Sequence, residues 1–299
     1  GIPNQITMRA LPWEHVERQK AELGIYAQDR WTIDRLTLNM GVRFDWYSTY
    51  YPEQYPGPVP LAPTRDLRFP ETDGVNFKDI TPRVGVAYDL FGNGKTALKG
   101  NVGRYPISVG IAQGVFGEAI NPAARTALFT TRSWNDANRN FVPDCVLTNL
   151  ELNGECARAD NLNFGKPVLS TNYADTVMRG WGVRQYQWEF SAAVQHELMP
   201  RLSASLGYFR RVYGNFLVTD NLAVAPTDYS PFGITAPVDS RLPDGGGYPI
   251  TDLYDLNPDK VGQVNNLLRP ASDFGKQIQH WNGIDFTVDA RLGNGIILQ

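Results

Sequence analysis

The sequence of residues 22–48 is ELGIYAQDRWTIDRLTLNMGVRFDWYS. Apolar and polar side chains alternate along it twice, first from Leu23 and again from Leu36. Because successive side chains of a β-strand point to opposite faces, this period of two predicts two strands, each with an apolar and a polar face. Residues 32–35 between them predict a short turn, so the whole stretch is expected to form a β-hairpin.

The same alternation recurs along the chain, at residues 83–90, 96–105, 188–195, 202–208 and 283–291. Tight turns are predicted after Trp31, Phe91, Leu198 and Leu292, and long connections over 49–79, 106–186 and 212–278. Short and long connections therefore alternate strictly. This order is typical of an up-and-down barrel, in which all tight turns lie on one side of the membrane.

Strand length and inner charge favour a membrane barrel over a soluble sheet. The predicted strands run to about 10–12 residues, whereas globular strands average about 5–6 and tilted bilayer-spanning strands need about 9–11. The polar faces carry charges of both signs, at Glu22, Arg30, Arg43, Asp45, Lys99, Glu189, Asp285, Asp289 and Arg291. Such charges need a wide, wet or plugged interior. The sequence thus predicts an all-β fold, a partial antiparallel up-and-down transmembrane β-barrel with long extracellular loops.

Aromatic residues cluster near both ends of the predicted strands. Trp31 and Phe91 lie by the short turns. The group by the long connections consists of Trp46, Tyr47, Tyr105, Tyr208 and Phe209. Two such groups resemble the girdles of a barrel at the membrane interfaces. The alternative is that they reflect only the high β-propensity of aromatic residues.

Composition and chain ends limit the function further. A formal net charge of −3 argues against a nucleic-acid partner, which normally meets a basic stripe. No window approaches 18 consecutive apolar residues, so no transmembrane helix is predicted. The chain begins at Gly1 without a secretion signal and stops inside the apolar run 296–298. We therefore expect residues 1–299 to be a fragment of a single outer-membrane β-barrel domain.

Two cysteines stand close together in the polar segment CVLTNLELNGEC, residues 145–156. The spacing favours a disulfide between Cys145 and Cys156, formed in an oxidising compartment. The alternative is a pair of unpaired thiols. Isolated cysteines usually lie in apolar runs, which these do not.

The segment before the first cysteine places oxygen-bearing side chains at relative positions 1, 3, 5 and 9. They belong to Asp136, Asn138, Asn140 and Asp144. Calcium takes six to eight hard oxygen ligands, and this spacing is that of the start of an EF-hand-type loop, so a calcium ion in an extracellular loop is predicted. Position 6 is Phe141 in place of glycine, and position 12 is not a glutamate. The alternative is a polar turn rich in Asx residues.

Motifs of the common enzyme classes are missing. The sequence contains no HExxH, GxSxG, Walker A or CxxC motif. The pair Asp285 and Asp289 shares a strand face and could mimic a glycosidase dyad, but charges lining a lumen explain it equally well. We expect no enzymatic activity and no required cofactor.

Three stretches resemble the barrel of TonB-dependent outer-membrane receptors. They are ITMRALPWEHVERQKAELGIYAQDRWTIDRLTLNMGVRFDWY (6–47), ITPRVGVAYDLFGNGKTALKGNVGRY (80–105) and QYQWEFSAAVQHELMPRLSASLGYFRR (185–211). Within that family they resemble the Oar-like branch, whose members carry an N-terminal carboxypeptidase-regulatory-like domain. The resemblance implies a barrel of about 22 strands, of which this chain supplies roughly nine.

The resemblance also implies a setting and partners: the outer membrane of a Gram-negative bacterium, its lipid, an unknown extracellular ligand and the TonB–ExbB–ExbD complex. The plug, the TonB box and the signal peptide are expected upstream, outside this chain. The predicted function is that of a barrel segment of a transporter or receptor, supplying wall strands and ligand-facing loops. Two alternatives stay open: a non-transporting display or adhesion barrel, and a secreted carbohydrate-binding β-sandwich.

Overall fold

The computed structural model describes residues 4–109, 120–168 and 171–291 and the short strand at 297–298. The strands are β1 (Gln5–Arg9), β2 (Arg18–Ile33), β3 (Leu36–Tyr51), β4 (Thr72–Asp89), β5 (Thr96–Pro106), β6 (Phe129–Ser133), β7 (Asn172–Tyr173), β8 (Arg179–Trp181), β9 (Tyr186–Met199), β10 (Leu202–Gly214), β11 (Leu217–Asn221), β12 (Tyr229–Thr235), β13 (Pro249–Leu256), β14 (Asn266–Pro270), β15 (His280–Arg291) and β16 (Ile297–Leu298). A four-residue helix, α1 (Asp175–Met178), precedes β8. Within the described ranges, no helix has the length and apolar character needed to span a membrane.

The main sheet is an antiparallel meander. Strands β2, β3, β4, β5, β9, β10, β15 and β16 pair in chain order, and β8 adds a short parallel pairing to β4. The predicted all-β, antiparallel fold is confirmed. The sheet is open, with β2 and β16 at its ends.

Tight turns join the hairpins as the alternation predicts. Ile33 pairs directly with Leu36, so the predicted four-residue turn is only Asp34-Arg35, and Asp34 takes a positive φ of 50°. At the next turn, the Asp89 carboxylate accepts hydrogen bonds from the backbone N–H of Gly92 (3.0 Å) and Gly94 (2.8 Å). The turn predicted after Leu292 lies outside the described residues, although β15 and β16 on either side of it are paired.

The bounds predicted for the first long connection were wrong. Strand β3 continues to Tyr51 and β4 begins at Thr72, so the connection spans 52–71 instead of 49–79. The start of β4 lacks the expected alternation because Val75 and Phe77 are apolar on the polar face of the sheet. Both are almost fully buried, since the long connections cover them.

The long connections contain their own strands and build a second layer. Strand β1, before the first hairpin, pairs with β6 of the 107–185 connection, and β12 pairs with β13 within the 215–279 connection. One core of this layer consists of Met8, Ala10, Val59, Ala62 and Phe164. A second core joins it to the sheet and consists of Tyr47, Tyr51, Val75, Phe77, Ile120, Val177 and Leu268. The connections therefore fold back over one end of the sheet.

Candidate functional site

Strand register gives the sheet two chemically different faces. One row of residues crosses six adjacent strands through Leu36, Tyr88, Leu98, Val194, Leu206 and Phe286. Every side chain of this row is apolar or aromatic, and Leu206 and Phe286 are 49% and 69% exposed. The next row consists of Thr37, Ala87, Lys99, Ala193, Gly207 and Asp285. We name the apolar side the outer face and the polar side the inner face.

The inner face carries charges of both signs, and several of them have a charged or polar partner. Glu189 Oε1 lies 2.6 Å from a guanidinium nitrogen of Arg211 on the neighbouring strand. Arg43 Nε and Asp45 Oδ1, two residues apart on β3, are 2.7 Å apart. Lys99 Nζ donates to the Gln195 side-chain oxygen at 2.6 Å. Paired but solvent-accessible charges suit a wet interior better than a packed core.

The predicted aromatic girdle next to the long connections is partly wrong. Adjacent residues of a strand face opposite ways, so its members divide between the two faces. Those on the inner face are Tyr47, Tyr105 and Phe209, and those on the outer face are Trp46 and Tyr208. The register adds Trp188 and Trp181 to the outer face at this end. The ring centroids of Trp181 and Phe44 are 5.5 Å apart.

The main sheet forks beside β4. Strand β5 pairs with β4 only between Arg83 and Asp89, and β8 takes the same edge of β4 at 76–78. Asp79 lies at the fork with a fully buried carboxylate. Arg184 Nε contacts one of its oxygens at 2.7 Å, and Arg104 Nη1 lies 3.5 Å from the other. A buried ion triad thus holds the fork.

Both arginines of the triad also bind the backbone around the fork. Arg104 donates to the carbonyl oxygens of Ile80 (3.1 Å) and Gly182 (3.4 Å), and Arg184 donates to that of Ile107 (3.3 Å). The triad therefore fixes the two ends of the 107–185 connection to the main sheet. Sequence reasoning missed it, because its members lie 25 and 105 residues from Asp79 and follow no motif.

The structure joins Cys145 and Cys156 in a disulfide. The segment it closes wraps around the guanidinium of Arg132, which is almost fully buried. Arg132 donates to four backbone carbonyls, those of Asn149, Glu151, Cys156 and Ala157, at 2.7–3.3 Å. Burial lowers the pKa of this guanidinium below its ordinary value. Arg132 and the disulfide together order a loop that has little regular secondary structure.

The four residues of the predicted calcium site meet in one loop. Asp144 Oδ2 accepts hydrogen bonds from the side-chain amides of Asn138 (2.6 Å) and Asn140 (3.0 Å). The Asp136 carboxylate accepts the backbone N–H groups of Asn140 and Phe141, each at 3.1 Å. Both carboxylates are thus satisfied by N–H donors, and calcium would require the two amides to turn their oxygens inward. In the described ranges, no three His, Cys, Asp or Glu side chains form a metal-binding group.

A cavity of about 590 Å³ lies where the long connections meet the ends of β9 and β10. Its aromatic walls are formed by Trp181, Tyr186, Tyr213 and Phe216, and its polar groups include Asn215 and Lys276. Ligand pockets commonly combine apolar walls with a few oriented polar groups. The cavity is therefore a candidate ligand site at the rim of the sheet.

An antiparallel meander with an exposed apolar outer face and a charged inner face is typical of the wall of a transmembrane β-barrel, because lipid is the medium in which such an outer face is stable. The sequence profile of the outer membrane beta barrel domain family matches residues 1–299. The chain therefore belongs to this family, and its location is the outer membrane of a Gram-negative bacterium. Comparison with curated proteins finds no match.

The calcium prediction has a direct test. If the four oxygens bind Ca²⁺, a ligand held only by the folded loop stabilises it by about 2.7 kcal/mol at a hundred times the dissociation constant. Thermal unfolding during a Ca²⁺ titration measures this, and Asp136→Ala is expected to abolish the rise. Asp239→Ala removes a carboxylate from another loop and serves as the control. A titration that leaves the unfolding temperature unchanged refutes the calcium site.

Lowering the pH is expected to destabilise the loop around the Cys145–Cys156 disulfide. The Trp134 side-chain N–H, followed by backbone N–H groups of Ala137 and Asp144, holds the pKa of Glu155 below its ordinary value of 4.5. Because the folded pKa is the lower one, this stabilisation is complete above about pH 4.5 and is lost as the pH falls through the folded pKa. The protection factor of the Ala137 amide, which is its intrinsic exchange rate at a given pH divided by its observed rate, should fall in that window.

The matched variants for the acid prediction are Glu155→Gln and Glu151→Gln. We expect Glu155→Gln to expose the Ala137 amide to exchange already at neutral pH. Glu151 is 61% exposed and pairs with Arg158. The Glu151→Gln substitution should therefore leave exchange at the Ala137 amide unchanged. An unchanged protection factor of the Ala137 amide between pH 7 and pH 3 in the unmodified chain would show that Glu155 does not order the loop.

Proposed function

We propose that the chain is the barrel segment of a TonB-dependent outer-membrane transporter or receptor. The observation that carries the proposal is the folded layer of long connections, which shares a core with the inner face at one end of the sheet. In barrels the long loops are extracellular and carry recognition. The resemblance of 6–47, 80–105 and 185–211 to TonB-dependent receptors, Oar-like members among them, supports the transporter class.

The open edges of the sheet support a larger barrel. Strands β2 and β16 each leave one side unpaired within the described sheet. In lipid an unpaired strand edge costs several kcal/mol for each polar group, so further strands must close the wall. A wide barrel also suits the charged inner face. We infer that this chain is one part of a single barrel domain of about 22 strands, whose plug would carry the contact with TonB–ExbB–ExbD.

In this proposal the rim cavity contacts the ligand. Its aromatic walls include Tyr213, at the end of β10, and Phe216, in the 215–279 connection. Elsewhere in the layer of long connections, the disulfide and Arg132 keep residues 145–156 ordered, which lowers the entropy that this loop would lose on binding a ligand.

A display or adhesion barrel is the second candidate. The disulfide-closed segment and the residues just before it expose four apolar side chains, those of Phe141, Val142, Val146 and Leu152. A stapled loop with an exposed apolar tip suits recognition without transport. The third alternative, a secreted carbohydrate-binding sandwich, requires the apolar faces of two sheets to meet, whereas here the outer face stays uncovered.

Uptake profiling distinguishes the first two candidates. A deletion strain and its parent are offered pools of iron chelates, glycans and peptides, with and without a collapsed proton-motive force. The transporter proposal expects at least one solute whose uptake needs both the protein and the proton-motive force. Surface binding without uptake supports the display barrel. Identical uptake by both strains for every solute overturns the proposal of transport.

A further inference from the structure

A lysine lies between two tryptophan rings on the outer face. Lys78 Nζ is 5.9 Å from the ring centroid of Trp46 and 5.8 Å from that of Trp181. The Trp46 indole N–H donates to the Asn76 side-chain oxygen at 2.9 Å, which fixes the orientation of the ring. Register places all three side chains on the same face as Phe44 and Ile80. The ammonium is thus presented on the apolar, lipid-facing side of the wall.

The position of Lys78 and the two tryptophans along their strands corresponds to the membrane interface. Trp46 lies about ten residues from the tight turn between β2 and β3, and tilted strands cross a bilayer in about 9–11 residues. Tryptophan prefers this level because its ring is apolar and its N–H is polar. Lys78 therefore stands at the height of lipid headgroups, on the side of the long connections.

Arginine and lysine residues on the outer face are confined to this end of the wall. In the described part of the sheet, the ones that register places there are Arg18, Lys78, Arg104, Arg179 and Arg210. Arg104 is engaged by Asp79 at the fork. Towards the tight turns the outer face instead carries Asp29, which accepts a hydrogen bond from the Trp31 indole. The outer face is therefore positive at one interface only.

Lys78 differs from the other members of this set in its surroundings. Arg104 pairs with Asp79 and Arg179 with Asp175, whereas no ion pair between described residues includes Lys78, Arg18 or Arg210. Of these three, Lys78 is the one that lies against two indole rings. The two indole faces attract a cation but carry no full negative charge. An anion from the surroundings would complete the site.

We propose that Lys78, held between the rings of Trp46 and Trp181, binds the phosphate of an anionic lipid headgroup in the leaflet next to the long connections. The phosphate oxygens accept hydrogen bonds from Lys78 Nζ, and the acyl chains lie along Phe44 and the half-exposed Ile80 below it. A lipid is the occupant because the ammonium stands directly above an apolar surface that a soluble anion would not cover.

The test uses the full-length protein in nanodiscs of phosphatidylcholine with increasing phosphatidic acid, and counts retained anionic lipid by native mass spectrometry. Lys78→Gln is expected to weaken retention about fivefold, the effect of about 1 kcal/mol for one basic residue near an anionic surface. Lys78→Met, which keeps the apolar stem, should weaken it equally, and Lys78→Arg should preserve it.

Lys99→Gln on the inner face is the matched control and should leave retention unchanged. Inorganic phosphate added at the same concentration as phosphatidic acid should not displace the lipid. Equal retention by Lys78→Gln, Lys78→Met and the unmodified protein overturns the proposal. Displacement by inorganic phosphate also overturns it, because the site would then bind a soluble anion.

Discussion

Asp79→Ala is expected to lower the free energy of unfolding by about 3–5 kcal/mol. The substitution removes the only carboxylate that the described residues place against the buried guanidinium groups of Arg184 and Arg104, whose side chains are 10% and 12% exposed. Breaking a buried pair from one side costs this much, since the remaining charge loses its partner without regaining water. Two cations would remain close together at the fork.

The measurement is equilibrium unfolding in lipid vesicles with urea. Asp285→Ala is the matched control, since Asp285 is an exposed aspartate on the same inner face, and its loss should cost no more than about 0.5 kcal/mol. Asp79→Asn keeps an oxygen acceptor but not the charge, so we expect an intermediate loss. Because the triad ties the 107–185 connection to the wall, Asp79→Ala should also speed proteolysis within that connection. Similar stabilities of Asp79→Ala and Asp285→Ala would show that the triad does not secure the fork.

The wall could be predicted from the sequence because its signal is local. Each strand of residues 22–48 shows its period of two within about ten residues, and the turn at Asp34-Arg35 lies where the two periods meet. The face of each side chain follows from the same period. For this reason the inner charges, such as Glu189 and Lys99, were assigned correctly without any knowledge of their partners.

The second layer could not be predicted because its contacts are distant in sequence. Met8 and Phe164 share one core, and Val75 and Ile120 share another, yet no periodic pattern links these positions. Buried apolar residues on the inner face of β4 hid the start of that strand, since alternation fails where both faces are covered. The disulfide could be predicted because Cys145 and Cys156 are near neighbours along the chain. The triad at Asp79 was not found because its arginines are not.

Leu206→Arg is expected to destabilise the protein by about 2–4 kcal/mol, the cost of an arginine at the middle of the lipid-facing side of a barrel. Leu206 lies on the outer face, about midway along the bilayer-spanning part of β10, with Val194 and Phe286 as its register neighbours. Lipid offers an unpaired guanidinium neither water nor a counter-ion at this depth. The side chain of the introduced arginine is not long enough to place its guanidinium fully at the membrane interface.

Ser205→Arg, one residue earlier on the same strand, is the matched control for this prediction. Ser205 faces inward between Gln195 and Thr287, so its guanidinium would enter a wet, polar interior and should be tolerated. The two variants have the same new side chain, the same strand and nearly the same depth, and they differ only in the face that they use. Urea unfolding in vesicles should therefore separate them by at least about 1.5 kcal/mol. Equal stabilities would mean that both faces meet the same solvent, which is incompatible with a membrane wall.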